Sequence, residues 1–372
     1  MFYSAGMTRA DPLPSPGRID PARRRGRGAA SARPGRFDLA REAVDDGWGT
    51  ADDPLPPLRT QVTEERVQSA IARNTSPDVP FDRSLNPYRG CEHGCIYCFA
   101  RPTHAYLGLS PGLDFETRLV ARPNIAEVLA KELGSPRYRP AALALGTATD
   151  PYQPVERERR LTRACLEVLE AAGHPVGVVT KGALVERDAD ILARMAAQGI
   201  ARVGFSVTTL DPDLARRMEP RAPSPARRLA AIRRLSDTGV PVRVMVSPIV
   251  PGLTDHEIEA ILSEAAKAGA VAASWVMLRL PREVSELWQE WLAEHRPDRA
   301  ARVMARLREM HGGRDYDPQW GHRIRGEGLH AEMIAQRFAR AAKRAGLAGP
   351  LPPLRTDHFA PLTGGPDQLR LF

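Results

Sequence analysis

The chain has 372 residues, of which 42% are hydrophobic and 26% charged, and 53 Lys and Arg residues against 45 Asp and Glu residues give a net charge of +8. This length accommodates one large core with extensions, and the sequence contains neither an eighteen-residue apolar run that would cross a membrane nor an apolar signal segment over Met1–Pro12. Four cysteines exclude a disulfide framework and predict a cytoplasmic location. The basic balance favours an anionic partner, nucleic acid first, or else serves solubility alone.

The first fifty residues are rich in Pro, Gly and Arg and have almost no apolar periodicity. A basic cluster is formed by Arg23, Arg24, Arg25 and Arg27. Such a segment buries too little surface to offset its ordering entropy. We therefore predict a disordered basic tail over 1–50, which either contacts phosphates without sequence preference or is inert, followed by an N-terminal extension over 51–82.

From residue 83 onward, short apolar runs alternate with amphipathic helical patterns. The predicted strands are Arg83–Pro87, Leu143–Ala148, Val176–Thr180, Val203–Val207, Val242–Val246 and Ser274–Leu278. The predicted helices are Arg159–Ala172, Ala189–Gln198, Pro225–Thr238 and Thr254–Ala268. A glycine follows each helix, and Thr254 with Glu257 matches a capping box. This alternation predicts a six-stranded parallel α/β sheet or barrel over 83–282.

The most specific motif is a Cys-x3-Cys-x2-Cys group formed by Cys91, Cys95 and Cys98. Three thiolates on one short loop bind three irons of a [4Fe–4S] cluster and leave the fourth iron open, which points to catalysis. The alternative is a Cys3His zinc site completed by His93 or His104, in a zinc-stabilised nucleic-acid adaptor without catalysis. The fourth cysteine, Cys165, lies on an apolar helix face and is predicted to be a core residue.

Two further strings surround this motif and carry a family resemblance. They are Asn86-Pro87-Tyr88-Arg89-Gly90-Cys91 through Cys98-Phe99-Ala100-Arg101, and Thr147-Ala148-Thr149-Asp150-Pro151-Tyr152-Gln153-Pro154 with Glu156. Together they resemble the radical S-adenosylmethionine (SAM) superfamily, in its spore photoproduct lyase-related branch. The resemblance implies a partial (β/α)6 barrel with a [4Fe–4S] cluster and SAM as cofactors. An electron donor would reduce the cluster, and cleavage of SAM would give a 5′-deoxyadenosyl radical that abstracts hydrogen from the substrate.

The resemblance also implies SAM ligands at the strand ends. Lys181 and Ser206 match the positions that hold the SAM carboxylate in the lyase family. Thr149 and Asp150 stand where superfamily members often carry Gly-Gly-Glu for the SAM amino group, although Asp150 could equally begin a turn.

Buried charge and aromatic residues add two expectations. Arg243 lies within a predicted buried strand and therefore requires an anionic partner, either SAM or a protein carboxylate. Tyr97 is expected to contact the cofactors. With Tyr88, Phe99 and Tyr106, it either shields the cluster or stacks a nucleic-acid base.

The predicted function is a radical SAM enzyme that acts on DNA in a repair-related reaction. Lyases of the family return a hydrogen atom from a cysteine near the end of strand two, and no cysteine lies between Cys98 and Cys165. This difference argues against the same thymine-dimer repair and leaves the catalytic residue unassigned. The alternative is a radical SAM enzyme that modifies RNA or matures a protein.

The C-terminal part is predicted to be helical over 283–346 and extended over 347–372. The helical region is expected to close the open side of the barrel and to contact phosphates, or to be a solvated surface, through Arg323, Arg325, Arg337, Arg340 and Arg344. The chain's end resembles the motif by which bacterial replication and repair proteins bind the DNA polymerase sliding clamp, through Gln368, Leu369, Leu371 and Phe372. The alternative is a tail that folds back onto its own core.

Overall fold

Six parallel strands form the sheet that carries the predicted site. The computed structural model describes residues 19–37 and 58–362. The parallel strands lie side by side in the order β3 (Arg83–Leu85), β6 (Leu143–Leu145), β7 (Val176–Thr180), β8 (Ala201–Ser206), β9 (Val242–Ile249) and β10 (Ala272–Met277). An antiparallel strand, β2 (Ile71–Arg73), extends the edge beside β3. The six predicted strands and the α/β partial barrel are confirmed.

A smaller sheet lies beside this barrel. It consists of β1 (Gln61–Glu64), β5 (Arg118–Ala121) and β4 (Tyr88–Arg89), with β5 in the centre. Because β4 leads directly into the cysteine motif, this sheet fixes the start of the cysteine loop.

Helices cover the outer face of the barrel and then continue into the C-terminal region. Those between the strands are α1 (Asp114–Thr117), α2 (Ile125–Leu133), α3 (Glu156–Arg159), α4 (Leu161–Ala171), α5 (Ala189–Ala197), α6 (Pro212–Met218), α7 (Pro225–Asp237) and α8 (Ile258–Lys267). The C-terminal helices are α9 (Glu283–His295), α10 (Pro297–Glu309), α11 (His322–Arg325) and α12 (Gly328–Arg344). Cys165 on α4 is fully buried in the core, as predicted.

The strands alternate between two environments. On β7, Val176, Val178 and Thr180 are buried, whereas Gly177 and Val179 are only half-buried. The buried side packs against the outer helices, and each large aliphatic side chain buried there contributes about 1.5–3 kcal/mol. The other side is the barrel interior, so polar residues at alternate positions can face a bound molecule.

The predicted capping box at Thr254 and Glu257 is wrong, because both side chains stabilise other segments. The Thr254 hydroxyl accepts a hydrogen bond from the Val250 N–H at 2.9 Å. The Glu257 carboxylate accepts from the Leu210 N–H at 3.0 Å and from the Thr209 hydroxyl. Helix α8 therefore begins only after a 3-10 turn over Asp255–Glu257.

The predicted disorder of residues 1–50 is wrong for residues 19–37. Arg24 and Arg27 are buried, with 7% and 8% exposure, and Arg27 donates to the Glu116 carbonyl oxygen at 2.9 Å. Helix α9 carries an acidic stripe formed by Glu283, Glu286, Glu290 and Glu294. The ion pairs with this stripe are Arg24–Glu294, Arg33–Glu286, Arg33–Glu290 and Arg36–Glu283. The segment is held by a distant acidic partner instead of a core of its own, and the rest of 1–50 lies outside the described residues.

The C-terminal segment after α12 has the predicted extended form as far as residue 362. It folds back onto the barrel, where the Arg355 N–H donates to the Gly199 carbonyl and the Ala360 N–H donates to the Ala172 carbonyl, both at 3.0 Å. The clamp-like residues Gln368, Leu369, Leu371 and Phe372 lie outside the described residues. Clamp binding therefore stays a prediction.

The segment around α11 contacts both edges of the main sheet. Asp78, between β2 and β3, accepts from the Gly321 N–H at 2.7 Å and pairs with Arg323. On the other edge, the Arg325 guanidinium lies 4.3 Å from the centre of the Trp275 ring on β10. This segment thus bridges the opening of the barrel.

Two of the arginines predicted to contact phosphates form ion pairs within the protein. Arg323 pairs with Asp78, and Arg337 pairs with Glu259 at 2.7 Å. Phosphate contact by this face stays a prediction. Across the two described ranges, the structure has no helix that combines the length and the apolar character needed to cross a membrane.

Candidate cofactor site

The three motif cysteines lie on one tightly turned loop after β4. Their thiols form no disulfide; Cys91 and Cys95 are buried, and Cys98 is partly buried. The loop turns at Gly94, whose φ of +66° is in the left-handed region. Burial raises the pKa of all three thiols, so thiolates here require a compensating cationic centre.

The three thiols supply most of the ligands that either predicted metal centre needs. A [4Fe–4S] cluster would use all three and leave one iron open. A zinc site would need His93 or His104 as a fourth ligand.

The two histidines considered as zinc ligands contact other groups. His93 Nδ1 lies 3.3 Å from a carboxylate oxygen of Asp150, and His104 Nε2 lies 2.9 Å from the Arg118 carbonyl oxygen.

A fully buried arginine, Arg101, holds the cysteine loop in place. Its guanidinium donates to the carbonyl oxygens of Cys95 at 2.9 Å and Gly94 at 3.2 Å, and to two carbonyls of the 111–112 loop. It also pairs with the fully buried Glu116 at 2.5 Å. Five donated bonds from one rigid side chain fix the backbone on both sides of Cys95.

The N-terminal segment packs over the ion pair between Arg101 and Glu116. The Glu116 carboxylate accepts from the N–H groups of Gly28 at 2.8 Å and Ala29 at 2.9 Å. A Cβ on Gly28 would lie 1.9 Å from the Gly94 carbonyl oxygen, so this close approach requires glycine. Residues 19–37 thereby cover one side of the cysteine loop.

The predicted ligand Thr149 also supports this loop. Its hydroxyl donates to the Gly90 carbonyl at 2.5 Å and accepts from Gln153 Nε2 at 2.9 Å. Gln153 in turn accepts from the Glu92 N–H at 2.8 Å. The string over 147–154 therefore braces the backbone around Cys91.

Asp150, the other residue predicted for the SAM amino group, is engaged within the protein. Its carboxylate accepts from the Thr180 hydroxyl at 2.6 Å and from the N–H groups of Lys181 at 2.8 Å and Tyr152 at 2.9 Å. Burial would raise the pKa of Asp150, but His93 and these donors lower it to about 2. The bond from Tyr152 is that of a turn that begins at Asp150, and the other two bonds tie this turn to the end of β7. Contact of Asp150 with the SAM amino group stays a prediction.

Lys181 and Ser206, predicted at neighbouring strand ends, are brought into contact. Lys181 Nζ donates to Ser206 Oγ at 2.6 Å, and Ser206 Oγ donates to the Ser247 carbonyl at 2.8 Å. The same ammonium lies 3.8 Å from Glu219 and 5.8 Å from the centre of the Tyr97 ring. Three of the six residues predicted around the cofactors thus meet at one place, directly beside the cysteine loop.

A buried carboxylate, Glu219, links this group together. It accepts from the Thr208 hydroxyl at 2.8 Å and from the hydroxyl of Tyr97, and it pairs with the buried Arg228. Burial would raise the pKa of Glu219, but Arg228, Lys181 and the Tyr97 hydroxyl lower it to about 2. The carboxylate is therefore ionised at neutral pH and holds Tyr97 and Lys181 in position.

Arg243 lies lower in the barrel. It pairs in register with Gly204, two residues before Ser206, which places it about 7 Å further down the strands. Its Nε is buried without a hydrogen-bond partner, and no carboxylate of the described chain forms an ion pair with it. The described part of the chain therefore supplies no carboxylate partner for Arg243, and binding of SAM by Arg243 stays a prediction.

The four aromatic residues around the cysteine loop divide into two pairs. Tyr88 and Tyr97 are buried, which suits shielding. Phe99 and Tyr106 are 48% and 65% exposed and are free to contact another molecule.

Sequence reasoning missed Arg101, Glu116, Glu219 and Arg228. One signal was available, since Arg228 lies on the buried face of α7 with Ala231, Ile232 and Leu235. An arginine on such a face predicts a buried carboxylate partner. The partner's position was not predictable from spacing.

Comparison with known proteins supports this arrangement. The family model described as the radical SAM superfamily matches residues 85–265. Uncharacterised proteins of Mycobacterium tuberculosis and Mycobacterium bovis are 37% identical over 300 residues, which cover 78% of this chain and 84% of each relative. A protein of Methanocaldococcus jannaschii is 26% identical over 46% of this chain and 62% of its own length.

Among solved structures, two of spore photoproduct lyase are similar in fold. One is the complex with dinucleoside spore photoproduct, with a TM-score of 0.54 and 16% identity over 77% of this chain and 80% of that chain. The other is a variant with bound AdoMet and the same photoproduct, with the same TM-score and identity over 77% and 79%. The cysteine loop on a partial parallel barrel, the family match and these relatives lead to one conclusion: the chain belongs to the radical SAM superfamily.

Proposed function

We propose that the protein is a cytoplasmic radical SAM enzyme that binds a [4Fe–4S] cluster, cleaves SAM reductively and acts on DNA in a repair-related reaction. The observation that carries this proposal is that Lys181, Ser206 and Tyr97 meet at the strand ends, with Tyr97 on the loop that bears the three motif thiols. Active sites of β/α barrels lie at this end of the strands.

The residues present fit the two cofactors. Cys91, Cys95 and Cys98 would hold the cluster, and Lys181 with Ser206 would hold the SAM carboxylate through a charge-assisted contact. When bound, the cluster would supply the electron that cleaves SAM into methionine and a 5′-deoxyadenosyl radical.

The chain's own residues position these groups and exclude water. Arg101 fixes the backbone around Cys95, and Glu219 orients both the Lys181 ammonium and the Tyr97 hydroxyl. Tyr97 is only 7% exposed, so its ring seals the loop against solvent. Arg228 pairs with Glu219, so the positive charge of Lys181, 3.8 Å from Glu219, is left to bind a second carboxylate.

Support for DNA comes from charge and from the fold relatives. The chain carries +8, and spore photoproduct lyase has been solved with a dinucleoside lesion. The reaction is expected to differ from that lyase's, because Cys165, the one cysteine outside the loop, is fully buried on an outer helix. The hydrogen donor must therefore be another group.

The test is anaerobic reconstitution followed by SAM cleavage. The wild-type protein should bind about four irons per chain and release 5′-deoxyadenosine with dithionite. Cys95→Ala should lose both properties, whereas the matched control Cys165→Ala should keep them. A colourless zinc protein, or equal product from wild type and Cys95→Ala, would overturn the proposal.

The SAM carboxylate contact has its own readout. Lys181→Met should weaken SAM binding about 10- to 150-fold, since hydrogen bonds to charged groups contribute about 1.5–3 kcal/mol. The iron content should stay unchanged, because Lys181 does not touch the thiols. Loss of iron with unchanged SAM affinity would contradict this role.

A further inference from the structure

Three exposed aromatic side chains lie on the N-terminal segment, the cysteine loop and the turn that follows it. They are Phe37, Tyr106 and Phe99, which are 59%, 65% and 48% exposed, and we call them the aromatic strip. Phe37 contacts Tyr106, and the arginines beside Tyr106 and Phe99, Arg282 and Arg279, are three residues apart in the chain. Exposed aromatic surface of this kind marks a binding site.

Arginines alternate with the rings at one end of the aromatic strip. The rings of Phe37 and Tyr106 lie 5.3 Å apart, and the Arg36 guanidinium lies 4.8 and 4.7 Å from their two centres. Arg282 also hydrogen-bonds to Tyr106, and no carboxylate of the described chain pairs with it. Because Arg36 pairs with Glu283 at 3.0 Å, Arg282 is the cationic group that this end of the aromatic strip offers to an external anion.

The other end of the aromatic strip adjoins the cysteine loop. Phe99 directly follows Cys98, and the Arg279 guanidinium lies 4.4 Å from the centre of its ring. Arg279 forms no ion pair in the described part of the chain, although Asp78 and Arg323 are near enough to act on it electrostatically. A partly buried guanidinium without a carboxylate is available to an external anion.

This combination fits unpaired nucleotides. Bases stack on aromatic faces and arginines contact phosphates or extend the stack, which is how proteins bind single-stranded nucleic acid. Bases of an intact duplex are already stacked and cannot use such a surface. A protein partner would be expected to meet an apolar patch, whereas here cationic groups separate the rings.

We propose that the aromatic strip binds an unpaired stretch of DNA and stacks one base against the Phe99–Arg279 pair, next to the cysteine loop. The inference rests on the proposed function, because it takes DNA as the substrate. It adds that the substrate is single-stranded or locally unpaired, and it names the residues that select it.

The experiment measures affinity by fluorescence anisotropy with reconstituted protein and three labelled ligands of equal length. These are a single strand, its duplex, and a strand whose central residues lack bases. The single strand should bind most tightly. Phe99→Leu should weaken its binding between about 5-fold and 150-fold, as expected for the loss of one stacked base, and should change binding of the abasic strand less than twofold.

Controls separate stacking from general charge. Leu329→Ala, at a residue that is 81% exposed on α12, and Arg234→Gln on α7 should leave binding of the single strand unchanged. Iron content and circular dichroism identify any variant that fails to fold, and Tyr106→Leu then serves as the second stacking variant. Tighter binding of the duplex, equal loss with the abasic strand, or tighter binding of an RNA of the same sequence would overturn the inference.

The two proposals fail in different ways. A wild-type protein that cleaves SAM but shows no base-dependent binding leaves the proposed enzyme and removes the aromatic strip's role. Base-dependent binding by a protein that never cleaves SAM removes the enzyme and keeps the strip.

Discussion

Arg101→Met is expected to destabilise the cysteine loop strongly, because the arginine is fully buried and its five hydrogen bonds all go to buried acceptors. Methionine fills a similar volume without a donor. In the described part of the chain, the change leaves the buried Glu116 carboxylate with the N–H groups of Gly28 and Ala29 as its hydrogen-bond donors.

The size of the effect follows from these contacts. Breaking a buried ion pair by removing one partner costs about 3–5 kcal/mol, and each buried carbonyl left without a donor costs about 1–3 kcal/mol before the loop relaxes. We expect the free energy of unfolding to fall by about 3–5 kcal/mol. Adding Glu116→Gln to Arg101→Met should leave the free energy of unfolding equal to or higher than that of Arg101→Met alone, because the second change removes the unpaired charge.

The assay is anaerobic urea unfolding of reconstituted protein, with iron per chain measured after gel filtration. Arg234→Met is the matched control, since this arginine is 68% exposed and its ion pair with Glu186 spans 3.5 Å. It should change stability by less than about 1 kcal/mol. This prediction is refuted if the free energy of unfolding of Arg101→Met stays within about 1 kcal/mol of wild type and the variant keeps its iron. The contacts of Arg101 would then not hold the cysteine loop.

Two further predictions concern pH and close packing. Burial lowers the pKa of His174 to about 4 from 6.5, so the folded state is favoured above pH 6.5 and loses this contribution as the pH falls towards 4. Between pH 7 and pH 5 the wild-type protein should lose about 2 kcal/mol of its free energy of unfolding through this group. In urea titrations, the difference in free energy of unfolding between wild type and His174→Gln should shrink by this amount over the same range. A difference that stays constant with pH would contradict the assignment. Gly28→Ala should cost about 1–3 kcal/mol and lower iron retention, because its Cβ would lie 1.9 Å from the Gly94 carbonyl oxygen. Gly349→Ala, where a Cβ meets nothing within 4 Å, is the control, and equal behaviour of the two variants would rule out the close approach.

Individual residues show why only part of the site could be predicted from the sequence. Lys181 and Ser206 were predictable because each ends a strand of recognisable pattern, and neighbouring parallel strands end at one edge. Asp150 also ends such a pattern, but its role depended on which donors surround it. Thr180, which donates to Asp150, and His93, whose Nδ1 lies 3.3 Å from its carboxylate, come from other parts of the chain.

By itself, the sequence determined the local features of this protein. The spacing of Cys91, Cys95 and Cys98 and the period of the buried strands are set within a few residues, so they predict the cysteine loop and the six-stranded sheet. Only the tertiary structure decided the contacts between distant segments. Arg24 reaches Glu294 across 270 positions, and Arg101 holds Glu116 where a third segment closes over both. No local period encodes such pairs, because their geometry exists only after the barrel and its helices have packed.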